Sequence, residues 1–140
     1  MKKVFLDTNI LLDIIEGREK FVLASSNVFN LGIVGKIQMY ATALTFANCV
    51  YTARKNVGYE NAVNGLRFIK SHLVIAAMDD AQCERALDSP MPDFEDMLQY
   101  EAAVAAGCDV IVTRDSKRHF PQTGIPVVSP EQFLYSFAEE

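Results

Sequence analysis

Five short apolar runs mark the chain, and longer stretches with helical spacing lie between them. Most of these runs are apolar at both odd and even positions, which is typical of parallel strands buried on both faces. The predicted strands are 3–6 (KVFL), 37–41 (IQMYA), 73–77 (LVIAA), 109–112 (DVIV) and 126–128 (PVV). The pattern therefore favours a sheet that is covered on both sides.

The segments between the runs carry helix start and stop signals. The stretch 93–107 begins after Pro92 and ends at Gly107, and Ser129 with Pro130 opens the last stretch. The element order β-α-α-β-α-α-β-α-α-β-β-α predicts an α/β fold, a three-layer α/β/α arrangement with a central, mainly parallel sheet of four to five strands. The predicted helices are 9–16, 19–34, 42–55, 58–71, 79–89, 93–107 and 129–137.

Length and charge narrow the class of protein. The 140 residues fit a single domain, 1–140, and half of them are hydrophobic, as is ordinary for a globular protein. The net charge of −5 argues against strong non-specific binding of nucleic acid, which needs a basic surface. A local basic patch remains compatible with this charge.

Cysteine usage and hydropathy argue against a zinc-binding, disulfide-linked, secreted or membrane-spanning protein. Cys49, Cys83 and Cys108 are far apart and form no CxxC pair, so neither a zinc site nor a disulfide framework is expected. The apolar run after the N-terminal lysines ends at Asp7, which is too early for a signal peptide. Every apolar stretch falls well short of the roughly 18 residues of a membrane span. We therefore expect a cytoplasmic protein.

Acidic residues fall where the predicted strands end. Asp7 follows the first strand, Asp115 follows the fourth, and Asp96 opens the helix that leads into the fourth. Ligands of open α/β sheets bind beyond the carboxyl ends of the strands. Carboxylates grouped without a cysteine or histidine pair indicate a hard divalent cation, Mg²⁺ or Mn²⁺. We predict that these three residues share a metal, although each alone also fits a turn or a helix start.

Helical geometry separates the acids at the start of 93–107. At about 100° per residue, Asp93 and Asp96 lie about 60° apart, whereas Glu95 points about 100° away from Asp96. Asp96 is therefore favoured as a ligand, with Asp93 as its neighbour and also as the helix N-cap. Glu95 is expected to be a solvated acid that interacts favourably with the helix dipole.

Two segments, VFLDTNILLDII (4–15) and DFEDMLQYEAAVAAGCDVIVTRD (93–115), together resemble the PIN-domain nucleases, and most closely the branch with VapC-type toxins. The resemblance implies a PIN-like fold and a Mg²⁺- or Mn²⁺-dependent endoribonuclease of single-stranded RNA, often dimeric and bound by a small antitoxin. It maps the catalytic acids onto Asp7, Asp96 and Asp115. It also implies that Asn9 and Thr113 support these acids through hydrogen bonds.

The chain departs from the family pattern at two positions. Asn48 stands where the family usually has a glutamate, so the site loses one negative charge, and weaker metal binding and activity are expected. His119 stands where many relatives have an aspartate before Phe120.

A basic cluster surrounds Asp115 at the predicted mouth of the site. Phosphate groups of RNA are expected to contact it, and a solvated loop of mixed charge is the alternative. Its members are Arg114, Lys117, Arg118 and His119.

Rival functions are distinguished by particular positions. A haloacid-dehalogenase-type phosphatase needs a second acid two residues after the first, where this chain has Asn9. A receiver domain needs an acidic pair at its first strand, where this chain offers only Asp7. The main alternative is a non-catalytic PIN-like module that binds RNA or protein, and Asn48 favours it.

Two stretches are more apolar than surface helices of a small domain require, namely 21–37 and 60–69. They are expected to contact an antitoxin helix or a second copy in a homodimer, with ordinary core packing as the alternative.

Overall fold

The computed structural model describes residues 1–115, 119–121 and 123–140. The predicted order of strands and helices is confirmed, and the ends agree within three residues. The elements are β1 (Lys2–Leu6), α1 (Thr8–Glu16), α2 (Val22–Ile33), β2 (Ile37–Thr42), α3 (Ala43–Val57), α4 (Tyr59–Lys70), β3 (Leu73–Ala76), α5 (Asp80–Asp88), α6 (Phe94–Ala105), β4 (Val110–Val112), β5 (Val127–Val128) and α7 (Pro130–Ala138).

All five strands form one parallel sheet in the order β3-β2-β1-β4-β5. The first strand is central, since Val4 pairs with Met39 of β2 on one side and with Val110 of β4 on the other. The chain therefore builds outward from β1 in both directions. This reversal opens a crevice at the carboxyl ends of β1 and β4, where ligands of such sheets bind.

The alternation of side chains along β1 explains why the sheet has two covered faces. Val4 and Leu6 are fully buried in a cluster with residues of α1, α2, α3, α4 and α7. Phe5 is fully buried on the opposite face, in a cluster with residues of α5 and α6. The three-layer α/β/α prediction is thus confirmed.

Polar side chains fix several helix starts. Asp93 caps α6, as predicted, and Thr42 and Asp79 cap α3 and α5. Ser129 and Gln132 form a capping box at the start of α7. Among the described residues, every helix is too short or too polar to cross a lipid bilayer.

Candidate metal centre

Asp7 is the carboxylate that ends the central strand, and the fold gives it partners. Its backbone N–H still donates to Val112 in β4, while its side chain caps α1 and accepts from the Thr8 N–H at 2.8 Å. The Thr113 hydroxyl donates to its second oxygen, Oδ2, also at 2.8 Å. Only 4% of Asp7 is exposed. A buried carboxylate at a strand end is tolerated here because both oxygens accept hydrogen bonds.

Thr113 and Asn9 connect the ends of β1 and β4. The Thr113 hydroxyl accepts from Asn9 Nδ2 at 3.1 Å and from the Asp115 backbone N–H at 3.0 Å. Asn9 Oδ1 in turn accepts from the Arg114 backbone N–H. The structure therefore places both predicted supporting residues in direct contact with the backbone that carries Asp115.

Asp96 enters the site from the first turn of α6. Its backbone N–H donates to the Asp93 side chain at 2.9 Å, so Asp93 fixes the start of the helix. The Asp96 carboxylate lies 3.0 Å from Nδ1 of His119. That contact places His119 beside a predicted metal ligand, and a contact between His119 and RNA stays a prediction.

Carboxylates from three separate elements converge on one point. Single oxygens of Asp7, Asp96 and Asp115 all lie within 4.8 Å of one another. A second group with the same spacing comprises Asp93, Asp96 and Nδ1 or Nε2 of His119. Asp7 and Asp96 are buried, whereas Asp115 is exposed and faces solvent. The arrangement offers oxygen ligands for a divalent cation, open on one side.

Burial and neighbouring negative charges raise the pKa values of two of these acids. Burial raises the pKa of Asp7 to about 6, although its hydrogen bonds with Thr113 and Thr8 oppose the rise. Burial, together with the charges of Asp7, Asp93 and Asp115, raises the pKa of Asp96 to about 7. Because a bound cation favours the ionised carboxylates, this donor set fits Mg²⁺ or Mn²⁺.

Asn48, on α3, contacts α6 rather than the three converging carboxylates. Its Nδ2 donates to Oε1 of Glu95 at 2.5 Å. Glu95 is exposed in the first turn of α6, as expected of a solvated acid. The structure adds that its carboxylate accepts from Asn48 and that its charge contributes to the raised pKa of Asp7. This contact joins α3 to the first turn of α6, where Asp96 follows Glu95 in the chain.

Arg114, which was expected to contact RNA, also has partners within the protein. Its Nε and Nη2 donate to the two oxygens of Asp13 at 2.8 and 2.7 Å, and its guanidinium lies 3.8 Å from the centre of the Phe21 ring. The guanidinium is thus engaged within the protein, and its contact with RNA stays a prediction. Lys117 and Arg118 lie outside the described residues, and their contacts with RNA stay predictions.

Sequence reasoning missed Asp13. Its side chain is fully buried and also accepts from the Ser25 hydroxyl at 2.7 Å. The available signal was a single charge inside the apolar run ILLDII. Such a charge needs a partner, and the partner, Arg114, directly precedes Asp115.

A buried chain of polar side chains behind the carboxylates was also missed. The Thr42 hydroxyl donates to Oε1 of Gln99, whose Nε2 donates to the Thr45 hydroxyl, each at 2.8 Å. The Thr45 hydroxyl lies 3.0 Å from that of Thr8, the neighbour of Asp7. These contacts tie α1, α3 and α6 together, so the elements that carry the site cannot shift independently.

The thiols of Cys49 and Cys108 are poorly suited to act as nucleophiles. Burial raises the pKa of Cys49 and of Cys108 to about 12, so both thiols stay protonated at neutral pH.

Comparison with known proteins gives consistent matches. The sequence model described as "PIN domain" matches residues 3–117. Ribonuclease VapC1 of Aquifex aeolicus (strain VF5) is 26% identical over 137 residues, which cover 94% of this chain and 93% of the relative.

Three solved structures share the fold. VapBC2 from Rickettsia felis, bound to a promoter DNA fragment, has a TM-score of 0.64 at 19% identity and covers 91% of this chain and 97% of its own. DNA-bound VapBC from Salmonella typhimurium has a TM-score of 0.60 at 21% identity, covering 93% and 99%. The sarcin-ricin loop cleaving toxin VapC20 of Mycobacterium tuberculosis has a TM-score of 0.62 at 10% identity, covering 77% and 86%.

Proposed function

The chain belongs to the PIN domain family, and from that premise we propose that it is a divalent-metal-dependent endoribonuclease of single-stranded RNA and the toxin of a toxin–antitoxin module. The observation that carries the proposal is the convergence of Asp7, Asp96 and Asp115 within 4.8 Å. Similarity to Ribonuclease VapC1 supports RNA as the substrate.

The three carboxylates would hold the cation, and Mg²⁺ or Mn²⁺ fits because every donor is an oxygen. Bound there, the ion would polarise a phosphate oxygen and lower the pKa of the attacking water.

The chain itself supplies orientation. Thr113 and Thr8 hold the Asp7 carboxylate, and Asp93 fixes the backbone of Asp96. Thr113 also accepts from the Asp115 N–H, so the ends of β1 and β4 stay in register with each other. Exposure of Asp115 leaves one side of the cluster free for a phosphodiester. A covalent enzyme intermediate is unnecessary, because water is the nucleophile.

An antitoxin helix is the proposed protein partner. A groove of about 360 Å³ between α3 and α4 is lined by apolar side chains, including Phe46, Val50 and Leu66, and by the cations Arg67 and Lys70. An amphipathic helix with acidic residues beside its apolar face would match this lining.

The two apolar stretches noted in the sequence also carry exposed apolar side chains, which gives an antitoxin a wider surface. They are Leu23, Ile33, Val34 and Phe68. A homodimer through the same surface stays a prediction.

Cleavage of labelled single-stranded RNA by the purified protein tests the activity. We expect cleavage with Mn²⁺ or Mg²⁺, none with EDTA, and a loss of roughly a hundredfold or more in Asp115→Asn, since loss of even an outer partner of a metal ligand typically costs about 10–100-fold. Glu131→Gln, in the exposed first turn of α7, is the charge-matched control.

A non-catalytic PIN module that binds RNA or protein is the second candidate, favoured by the neutral residue at position 48. Binding of RNA without metal-dependent cleavage would select it and refute the nuclease proposal.

A further inference from the structure

The position expected to hold a fourth acid, Asn48, directly contacts an acid on a different helix. We propose that Glu95 supplies the carboxylate that Asn48 lacks, and that Asn48 holds Glu95 at the mouth of the metal site. The inference deepens the proposed function and rests on it for the identity of the site.

The contact between the two side chains is specific in chemistry. Asn48 Nδ2 is a donor and Glu95 Oε1 is an acceptor, and they lie 2.5 Å apart across α3 and α6. An exposed glutamate otherwise samples many rotamers, and fixing it has an entropic cost. The amide gives Glu95 a defined position next to Asp96, its neighbour in the chain.

The neutral amide of Asn48 can hold the Glu95 carboxylate without repelling it. If position 48 held a glutamate, two carboxylates would face each other at hydrogen-bond distance and repel. With asparagine there, one negative charge remains, and it sits on α6 instead of α3. The Asn48–Glu95 pair lies beside the cluster, because the next residue of α6, Asp96, is one of the three carboxylates. Thr45, one turn before Asn48 on α3, also contacts Thr8, the neighbour of Asp7.

Glu95 lies outside the two groups of converging ligand atoms found among the described residues. In the proposed role its carboxylate would accept hydrogen bonds from water on a bound cation rather than ligate the ion directly. Mg²⁺ and Mn²⁺ sites with few protein ligands retain several such waters. Outer partners of this kind typically change metal affinity by about 10–100-fold.

Mn²⁺ titration calorimetry without RNA provides the test. Glu95→Gln should weaken Mn²⁺ binding about tenfold, whereas the matched control Glu131→Gln should bind as the native protein does. Asn48→Glu alone should not tighten binding, because it places a second carboxylate against Glu95. Asn48→Glu combined with Glu95→Gln should recover native affinity, since the donor and acceptor have exchanged helices.

The double variant, Asn48→Glu with Glu95→Gln, distinguishes a role of Glu95 in metal binding from a merely structural one. Glu95→Gln affinity within twofold of the native value would refute the inference. The inference would also be refuted if Asn48→Glu tightened Mn²⁺ binding equally in the native background and in the Glu95→Gln background. It would be refuted as well if the native protein bound no Mn²⁺ at millimolar concentrations. RNA cleavage is measured separately. If the variants bind Mn²⁺ as expected but the native protein does not cleave RNA, the nuclease proposal alone is rejected. If the native protein cleaves RNA but the variants do not bind Mn²⁺ as expected, this inference alone is rejected.

Discussion

Asp7→Asn should make the metal-free protein more stable while removing its activity. The folded state disfavours the ionised Asp7 carboxylate, because burial raises its pKa from 3.8 to about 6. This change corresponds to about 3 kcal/mol of destabilisation at pH values above both pKa values. An amide carries no charge and avoids that cost.

The Asp7→Asn substitution also removes a hydrogen bond. Thr113 donates to one oxygen of Asp7 and Thr8 to the other, and an asparagine offers only one acceptor. A lost hydrogen bond costs about 1 kcal/mol. The expected net gain is therefore about 2 kcal/mol in the free energy of unfolding near pH 8.

The sign of the effect depends on pH. A raised acid pKa means that the folded protein holds its proton more tightly, so the contribution of Asp7 to stability is present below pH 3.8 and lost as the pH rises through about 6. Urea denaturation in EDTA should therefore show little gain for Asp7→Asn near pH 4 and the full gain near pH 8. Adding Mn²⁺ should stabilise the native protein more than the variant. A variant less stable than the native protein near pH 8, or a gain independent of pH, would refute the reasoning.

Two further predictions follow from the same contacts. Mn²⁺ affinity should rise between pH 5 and 8 and then level off. The carboxylates of Asp7 and Asp96, with pKa values of about 6 and about 7, must lose protons to bind metal. Mn²⁺ titration at several pH values checks this, and an affinity independent of pH would contradict it. Arg114→Met should cost about 3 kcal/mol in urea denaturation, because Arg18, 3.7 Å away, is then the only cationic partner of the fully buried Asp13 among the described residues. A loss below about 1 kcal/mol would show that Arg18 suffices.

Local patterns predicted the fold well because each rests on short-range physics. Val4, Phe5 and Leu6 are apolar on both faces, which suits a central parallel strand. Asp93 and Gly107 mark the start and stop of one helix. Parallel strands end at one edge of the sheet, so Asp7 and Asp115 were expected to meet without any knowledge of the loops.

Contacts between distant side chains could not be predicted in the same way. The helical wheel gave the direction of Glu95 relative to Asp96 but not the helix it would face, which depends on how α3 packs against α6. Arg114 was expected to contact RNA because its charge lies beside Asp115. Its pairing with Asp13 depends on a β1–β4 register that no local pattern encodes.

The position of β1 between β2 and β4 also has a consequence during synthesis. Asp7 is made before most of the matched region, yet the strand that positions Asp115 beside it comes from the far end of that region. At roughly 5–20 residues per second, a ribosome needs about 5–20 seconds to make the intervening chain. During that interval the nascent protein has β1 and β2 but lacks the third carboxylate. Whatever chemistry the cluster performs can begin only after β4 has been made, so a prematurely terminated product that stops before β4 would be inert.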